Sequence, residues 1–527
     1  MGLINYTICF FNFGMNFKNE YMPILGQIFS WLSIKRMSEI ELFMKYPIDT
    51  QNETLLKLIK KAEETEWGKK YGYASLDRVE DFKEKIPVQD YETIKPYIIR
   101  LRQGEQNLLW PSEIKWFAKS SGTTSDKSKF IPVSKEALED CHFRGGKDIL
   151  ALYFSHFPES KLLKGKCLSL GGSHQINNFS NESYYGDLSA VLIQNLPFWA
   201  EMKRTPNLEI TLMEEWDDKI EQMAKASIKE NVTYIAGVPS WTLVLIKYIL
   251  EITGAKHLQD VWPQLELFAH GGVSFVPYRE QFKRLIPGNS MNYMETYNAS
   301  EGFFGLQDDP DRDDMLLMLD YGIYYEFMPL SEVGKDHPKL LSLDEVQTGE
   351  NYALVISTNA GLWRYVIGDT VIVTHRYPFK IKITGRIKHF INAFGEELII
   401  DNAENALKMA CDKTGAQVRE YTAGPIFMDK DVKGGHEWLF EFEKKPNNIE
   451  YFVEVLDNAL KSLNSDYEAK RYKNMTLDFP VIRILNDGTF YTWLKERGKL
   501  GGQHKVPRLS NNRTYIEQLL KINNTKK

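Results

Sequence analysis

The pattern of hydrophobic and polar residues predicts a helical segment near the start of the chain. Within residues 39–99, apolar positions recur at three- to four-residue spacing, as at Leu56, Leu58, Ile59 and Ala62. Such spacing is typical of the buried stripe of an amphipathic helix. We therefore expect the chain to begin with a helical entry.

The next region, residues 110–400, predicts strands and helices in alternation. Short apolar runs such as KCLSL, TYIAGV, LELFAHGG, MNYME, YALVIST and TVIVTH are separated by helical stretches such as WDDKIEQMAKASIKE. Alternation of this kind favours an α/β domain with several sheets.

The pattern changes after Ile381 and predicts a second domain. ITGRIKHFINAFGEELI suggests a strand, a turn and a short strand, and DNAENALKMACDKTG suggests an amphipathic helix. The remainder suggests one strand in EWLFEFEKK, one long helix over 449–471 and one strand in FPVIRIL. We predict a large multi-sheet α/β domain over residues 1–387 and a smaller α+β domain over residues 388–527.

Length, charge and cysteine usage narrow the function. A chain of 527 residues exceeds the size of one hydrophobic core, so at least two domains are expected. The net charge of -6 offers no basic field for nucleic acid.

Four scattered cysteines without a Cys-x-x-Cys pair favour a reducing, cytoplasmic setting. No apolar run has transmembrane length, and the first fourteen residues lack a basic leader, so we expect neither membrane insertion nor secretion. The oligomeric state follows from none of these features.

One hydroxyl-rich segment suits a polyphosphate. KWFAKSSGTTSDKSKFIPVS combines a glycine, which lets the backbone approach a ligand, with hydroxyls and two following lysines. The same residues also suit an ordinary surface turn. The spacing is not that of a Walker loop, which argues against kinase-type phosphoryl transfer. The candidate phosphate ligands are Ser120, Ser121, Gly122, Thr123 and Thr124.

Three later segments carry further candidates. In METYNASEGFFG, Tyr297 can offer a flat face to a base, Ser300 a hydroxyl and Glu301 a carboxylate for magnesium. NAGLWRYVIGDTV ends in Asp369, a strand-to-turn carboxylate able to bind two ribose hydroxyls. Arg386 stands in TGR near the predicted boundary, where it can bind phosphate or ribose. Taken singly, each also fits a structural strand end, a turn or a surface arginine.

The order of these segments resembles the adenylate-forming superfamily of acyl-CoA synthetases and firefly luciferase. It is more closely similar to the auxin-responsive acyl-acid amido synthetase family of plants, which also has bacterial members, and we expect a bacterial member here. IPVQDYETIKPYI, GVPSW, HGGVSFVPY and GGQHKVPR look like that family too, so the resemblance runs from about residue 40 to the end.

The resemblance implies roles for individual residues. Residues 120–124 would bind the phosphates of ATP, with Ser300 and Glu301 facing the phosphates and Mg²⁺. Gly271 and Gly272 would border the adenine beside Tyr297. The remaining implied roles are ribose binding by Asp369, a hinge position for Arg386, and approach of Lys505 from the C-terminal domain to the active site.

The implied reaction joins a small carboxylic acid to an amine. The acid would attack ATP to give an acyl-adenylate and pyrophosphate, and an amino acid or other amine would then form an amide and release AMP. Two alternatives stay open: an acyl-CoA ligase that uses the same adenylate, and a non-catalytic sensor of nucleotide or acyl acid. Asp126 stands where many relatives have glycine. Its charge can repel a phosphate, which would favour the sensor, or its side chain can cap the turn by accepting from backbone N–H groups.

Overall fold

The computed structural model describes most of the chain. The residues described are 24–121, 128–170, 177–178, 183–213, 216–272, 275, 278–387, 390–391, 393–396, 398–428, 433–471, 477–497, 506 and 508–525. None of the helices in these ranges is both long and apolar enough to cross a membrane.

The described part of the chain begins with the predicted helical entry. Its helices are α1 (Ile24–Lys45), α2 (Pro47–Ala62), α3 (Glu66–Tyr71), α4 (Val79–Lys85) and α5 (Tyr91–Arg102). In α2 the buried stripe consists of Leu55, Leu58, Ile59 and Ala62, whereas Leu56 is only half-buried. The prediction of a helix is confirmed, and the stripe includes Leu55 in place of Leu56.

The remaining helices follow in the body of the protein and in the C-terminal domain. They are α6 (Phe143–His156), α7 (Leu188–Gln194), α8 (Phe198–Met202), α9 (Leu208–Thr211), α10 (Trp216–Ser227), α11 (Pro239–Thr253), α12 (Leu258–Val261), α13 (Arg279–Leu285), α14 (Ile400–Thr414), α15 (Ile449–Leu463), α16 (Ser465–Arg471), α17 (Thr489–Glu496) and α18 (Thr514–Thr525). A π-helical turn over Ala137–His142 leads into α6.

The strands form the sheets of both domains. They are β1 (Trp116–Ser121), β2 (Ser128–Val133), β3 (Lys166–Ser169), β4 (Asn177–Asn178), β5 (Tyr184–Gly186), β6 (Arg204–Thr205), β7 (Val232–Gly237), β8 (Leu267–Gly271), β9 (Asn292–Ala299), β10 (Gly302–Leu306), β11 (Met315–Leu317), β12 (Ile323–Pro329), β13 (Asn351–Thr358), β14 (Tyr365–Arg376), β15 (Phe379–Arg386), β16 (Phe390–Ile391), β17 (Leu398–Ile399), β18 (Gln417–Ile426), β19 (Gly435–Lys444) and β20 (Val481–Ile484).

Within the described ranges, the large sheet has eleven strands in the order β12-β13-β14-β15-β11-β10-β9-β8-β7-β3-β6. From β6 to β9 the strands are parallel, and from β9 to β12 they are antiparallel. A separate sheet of order β2-β1-β5-β4 carries the hairpin of the hydroxyl-rich segment. The multi-sheet α/β domain is confirmed.

The C-terminal domain is a separate α+β unit, as predicted. Its sheet has the order β18-β19-β20. The ten-residue strand β18 has no counterpart in the prediction, because QVREYTAGPI mixes charged residues with glycine and proline and shows no apolar run. The predicted helix over 449–471 is two helices, since Asn464 ends α15 and its side chain accepts a 2.7 Å hydrogen bond from the N–H of Tyr467 in α16.

A buried set of hydrogen bonds joins the two domains through the segment between them. Tyr278 Oη donates to the carbonyl of Ala393 at 3.0 Å. Glu396 accepts from the N–H of Phe394 at 2.7 Å and contacts His436 Nε2 in β19 at 2.8 Å. Glu396 is completely buried, so these bonds satisfy a carboxylate that would otherwise be costly to bury.

Candidate functional site

The centre of the candidate site is a hydrogen bond between two predicted residues. Tyr297 Oη donates to Asp369 Oδ2 at 2.7 Å, and both side chains are buried. Tyr297 lies in β9 and Asp369 in β14, four strand spacings apart in the sheet. In a flat sheet that separation would be about 19 Å. The sheet therefore curls enough to bring these two strands face to face.

Asp369 lies inside a strand, which corrects the prediction of a strand-to-turn carboxylate. Opposite β13, the register of β14 shifts so that three residues, 367–369, stand against Leu354 alone. Gly368 within this bulge has φ +101°, a conformation that favours glycine. Bulges of this kind re-aim side chains and are frequent beside active sites. The Gly-Asp pair is therefore the signature of a bulge.

Gly271 and Gly272 lie beside Tyr297 at the carboxyl end of β8. Gly271 pairs with Thr296, the neighbour of Tyr297, in parallel register. A Cβ on Gly271 would lie 2.5 Å from the carbonyl oxygen of Thr296, which is too close for any side chain. Gly272 has φ +80°. Glycine is thus needed at both positions, first for close packing and then for a left-handed backbone.

Ser300 and Glu301 form the turn between β9 and β10, and both are half-buried. The π-helical turn supports the back of this hairpin. His142 Nδ1 lies 3.0 Å from Asn298 Oδ1, and Cys141 Sγ accepts from the N–H of Phe303 at 3.1 Å. Burial lowers the pKa of His142 to about 4, so the ring is neutral and its Nδ1–H donates to Asn298.

The hydroxyl-rich hairpin approaches the start of β14. Ser120, half-buried in β1, pairs in register with Lys129 of β2. Lys129 Nζ is 3.4 Å from Tyr365 Oη, and its ammonium lies 5.7 Å from the ring centroid of Tyr91. Ser121 ends β1. Gly122, Thr123 and Thr124 lie outside the described residues, as does Asp126, so their predicted phosphate contacts stay predictions.

Arg364, the first residue of the RYVIGD segment, is structural. Its guanidinium makes two hydrogen bonds to Glu326, at 2.9 and 2.8 Å. It also donates to the carbonyls of Lys83 and Ile86 at 2.7 and 2.6 Å. The arginine therefore ties the large sheet to the helical entry.

Arg386 and Lys505 are the two predicted residues nearest the domain junction and the C-terminus. Arg386 ends β15 and pairs in register with Asp369, which brings its backbone to the candidate site. Lys505 lies outside the described residues.

Among the residues that are described, no three His, Cys, Asp or Glu side chains group closely enough to hold a metal ion. A Mg²⁺ ion held by nucleotide phosphates needs only one or two protein carboxylates, so Glu301 fits that type of binding.

Some contacts at this site have no counterpart among the predicted residues. Tyr365 is the residue that Lys129 reaches, and the His142 and Asn298 pair supports the Ser300 turn. His142 carries no motif, and only the π-helical turn, a feature frequent at functional sites, marks it. Tyr365 is adjacent to Arg364 in a segment that the sequence does single out.

The fold places the chain in a known structural class. The solved structure of the GH3.15 acyl acid amido synthetase matches with a TM-score of 0.59 at 18% identity, covering 93% of this chain and 95% of that one. The protein therefore has the fold of an acyl acid amido synthetase.

Sequence comparison identifies the family. The GH3 family N-terminal domain matches residues 36–291, the central domain residues 316–386 and the C-terminal domain residues 401–514. The chain belongs to the GH3 family. Similar proteins include the Indole-3-acetic acid-amido synthetase GH3.3 of Arabidopsis thaliana, which is 23% identical over 90% of this chain and 91% of that protein. The 4-substituted benzoates-glutamate ligase GH3.12 of the same plant is 24% identical over 87% and 92%.

Proposed function

We propose that this protein is an acid-amino acid ligase. It activates a carboxylic acid with ATP as an acyl-adenylate and transfers the acyl group to an amino acid or another amine. The observation that carries the proposal is the Tyr297 and Asp369 pair beside Gly271. An aromatic ring, a close backbone and a carboxylate are the groups that an adenosine requires for its base and ribose.

Each residue has a place in the proposed nucleotide site. Tyr297 and the Gly271 and Gly272 backbone hold the adenine, and Asp369 accepts hydrogen bonds from the ribose. Ser120 and the following loop through Thr124 bind the phosphates together with Ser300. Arg386 acts at the junction with the C-terminal domain, which we place at residues 387 and 388.

Two chemical steps follow from this arrangement. The substrate carboxylate attacks the α-phosphate, the bond to the leaving pyrophosphate breaks, and donors aimed at the phosphates stabilise the developing charge. Glu301 would hold a Mg²⁺ ion together with the phosphates, and that ion would supply further charge compensation. The amine then attacks the carbonyl of the mixed anhydride, and AMP leaves with the bond electrons. In this scheme Lys505 reaches the site from the C-terminal domain during the first step.

The relatives' names favour an amine over coenzyme A as the acceptor. GH3.3 is named an amido synthetase and GH3.12 a glutamate ligase, yet one name carries indole-3-acetic acid and the other 4-substituted benzoates at nearly the same identity. Identity therefore does not select the acid for this chain. A cytoplasmic setting, favoured by the cysteine distribution, belongs to the same proposal.

Product analysis tests the proposal. The protein is incubated with ATP, Mg²⁺, a panel of carboxylic acids and either the twenty amino acids or coenzyme A, and products are identified by mass spectrometry. We expect AMP and an amide in the amino acid arm. A thioester confined to the coenzyme A arm would show a CoA ligase instead. ATP binding without turnover in either arm would show a sensor.

A further inference from the structure

One contact joins the C-terminal domain to the edge of the candidate site. The ammonium of Lys470, in α16, lies 3.6 Å from the ring centroid of Trp241, in the first turn of α11. Lys470 is only 5% exposed. A cation on an aromatic face contributes most where water is excluded, so this buried contact is of the stronger type.

Trp241 belongs to the segment that borders the adenine-site glycines. It follows the carboxyl end of β7 by four residues. At the neighbouring end of β8, a Cβ on Gly272 would lie 3.4 Å from Val238 Cγ2, so the GVPSW segment is in van der Waals reach of that glycine. The contact between Lys470 and Trp241 therefore depends on the orientation of the C-terminal domain relative to the Gly271 and Gly272 end of the sheet.

The two faces of the C-terminal sheet have different neighbours. One face belongs to a hydrophobic cluster that includes Trp438 and Phe440 together with N-terminal residues such as Phe282. The other face belongs to a cluster whose buried members are Leu439, Leu485, Phe490, Trp493, Val506, Ile516, Leu519 and Ile522, all in the C-terminal domain. Val506 directly follows Lys505 in sequence, so the residue beside Lys505 packs on the face that does not join the N-terminal domain.

We infer that Lys470 is a positioning residue whose contact with Trp241 holds the C-terminal domain in the orientation that serves amide transfer. This inference rests on the proposed function. Adenylation needs the Lys505 segment at the nucleotide site, and that requires the other face of the domain to turn inwards. The Lys470 contact must then break, so it stabilises one half-reaction at the expense of the other.

The test separates the two half-reactions in the full-length protein. Acid-dependent exchange of labelled pyrophosphate into ATP reports adenylation, using the acid from the panel that gives the fastest exchange. Decay of the enzyme-bound adenylate after addition of amino acid reports transfer. The variants are Lys470→Met, which keeps the apolar stem and removes the charge, and Lys470→Arg, which keeps a cation. Lys70→Met is the control, because the Lys70 ammonium also lies near an indole, 5.6 Å from the Trp67 ring centroid, but within the helical entry.

We expect Lys470→Met to slow transfer roughly tenfold, the effect of losing a desolvated cation over an indole. Exchange should be unchanged or faster. Lys470→Arg should restore most of the transfer rate, and Lys70→Met should behave as wild type in both assays.

Three results would overturn the inference. Equal loss of both half-reactions with a lower melting temperature would show a merely structural role, and unchanged rates in Lys470→Met would show no role. Slower exchange with normal transfer would assign the contact to the opposite orientation. A different result, absence of exchange in the wild-type protein with every acid, would overturn the proposed function on which the inference rests.

Discussion

The two ends of the RYVIGD segment, five residues apart, behave differently. Arg364 is matched to an opposite charge, Glu326, and to two backbone carbonyls of the helical entry. Asp369 is matched to a neutral phenol, Tyr297, across the curled sheet. One end fastens the sheet to its neighbouring helices, and the other joins two strands at the candidate site.

The difference shows that charge within a motif does not by itself identify a ligand. A buried guanidinium with a carboxylate and carbonyls around it is tied to the fold, because removal of either charge leaves the other buried and unpaired. A carboxylate bonded to a phenol at a bulge is held in a fixed direction, where it can also accept from a ribose.

Removal of the arginine should give the largest effect. Arg364→Met leaves Glu326, which is 1% exposed, without its charge partner. We expect a loss of about 3 to 5 kcal/mol in the free energy of unfolding, measured by denaturant titration. Arg364→Lys should lose less, because it keeps the charge. A variant within about 1 kcal/mol of wild type would show that the pair does not fasten the sheet.

Substitution of Asp369 should weaken ATP binding with little effect on the free energy of unfolding. Asp369→Asn keeps the shape and removes the charge, so we expect the Kd for ATP to rise roughly 10- to 100-fold, the value of hydrogen bonds to a charged group. The free energy of unfolding should change by less than about 1.5 kcal/mol. Calorimetric titration and denaturation of the same sample check both. Unchanged ATP affinity would remove Asp369 from the nucleotide site.

Gly271 tests the close packing of β8 against β9. Gly271→Ala places a methyl against the Thr296 carbonyl and should separate β8 from β9, at a cost of about 1 to 3 kcal/mol in unfolding free energy. Gly272→Ala meets only an ordinary contact with Val238 but has φ +80°, so about 1 kcal/mol is expected. Denaturant titration ranks the two, and equal costs would contradict the close approach at Gly271.

His142, on the far side of the Tyr297 strand, should give a small pH effect. Its folded pKa of about 4 lies below the value of an unfolded histidine, so its stabilising contribution is present above that unfolded value and is lost as the pH falls towards 4. Between about pH 6.5 and 5.5, wild type should lose roughly 1 kcal/mol more unfolding free energy than His142→Gln. Parallel pH dependences in the two proteins would show that the folded imidazole titrates normally.

The sequence predicts the architecture well because apolar periodicity determines it. The alternating runs became β3, β7, β8, β9, β13 and β14, while β18 was missed because its charged and glycine-containing sequence carries no such signal. At the site, the motifs identify Tyr297 and Asp369, but not their hydrogen bond. The two residues are 72 positions apart in sequence, and their contact depends on the curl of the sheet, which no local pattern encodes.

Acid-dependent exchange of labelled pyrophosphate into ATP is the most direct test of adenylation. The assay contains Mg²⁺ and a panel of carboxylic acids, without an amine or coenzyme A, and compares wild type with Asp369→Asn. We expect exchange with at least one acid, and an exchange rate that is lower by roughly tenfold or more in the variant at subsaturating ATP. Exchange that is equal in both proteins, or absent with every acid in a folded wild-type protein, would contradict it.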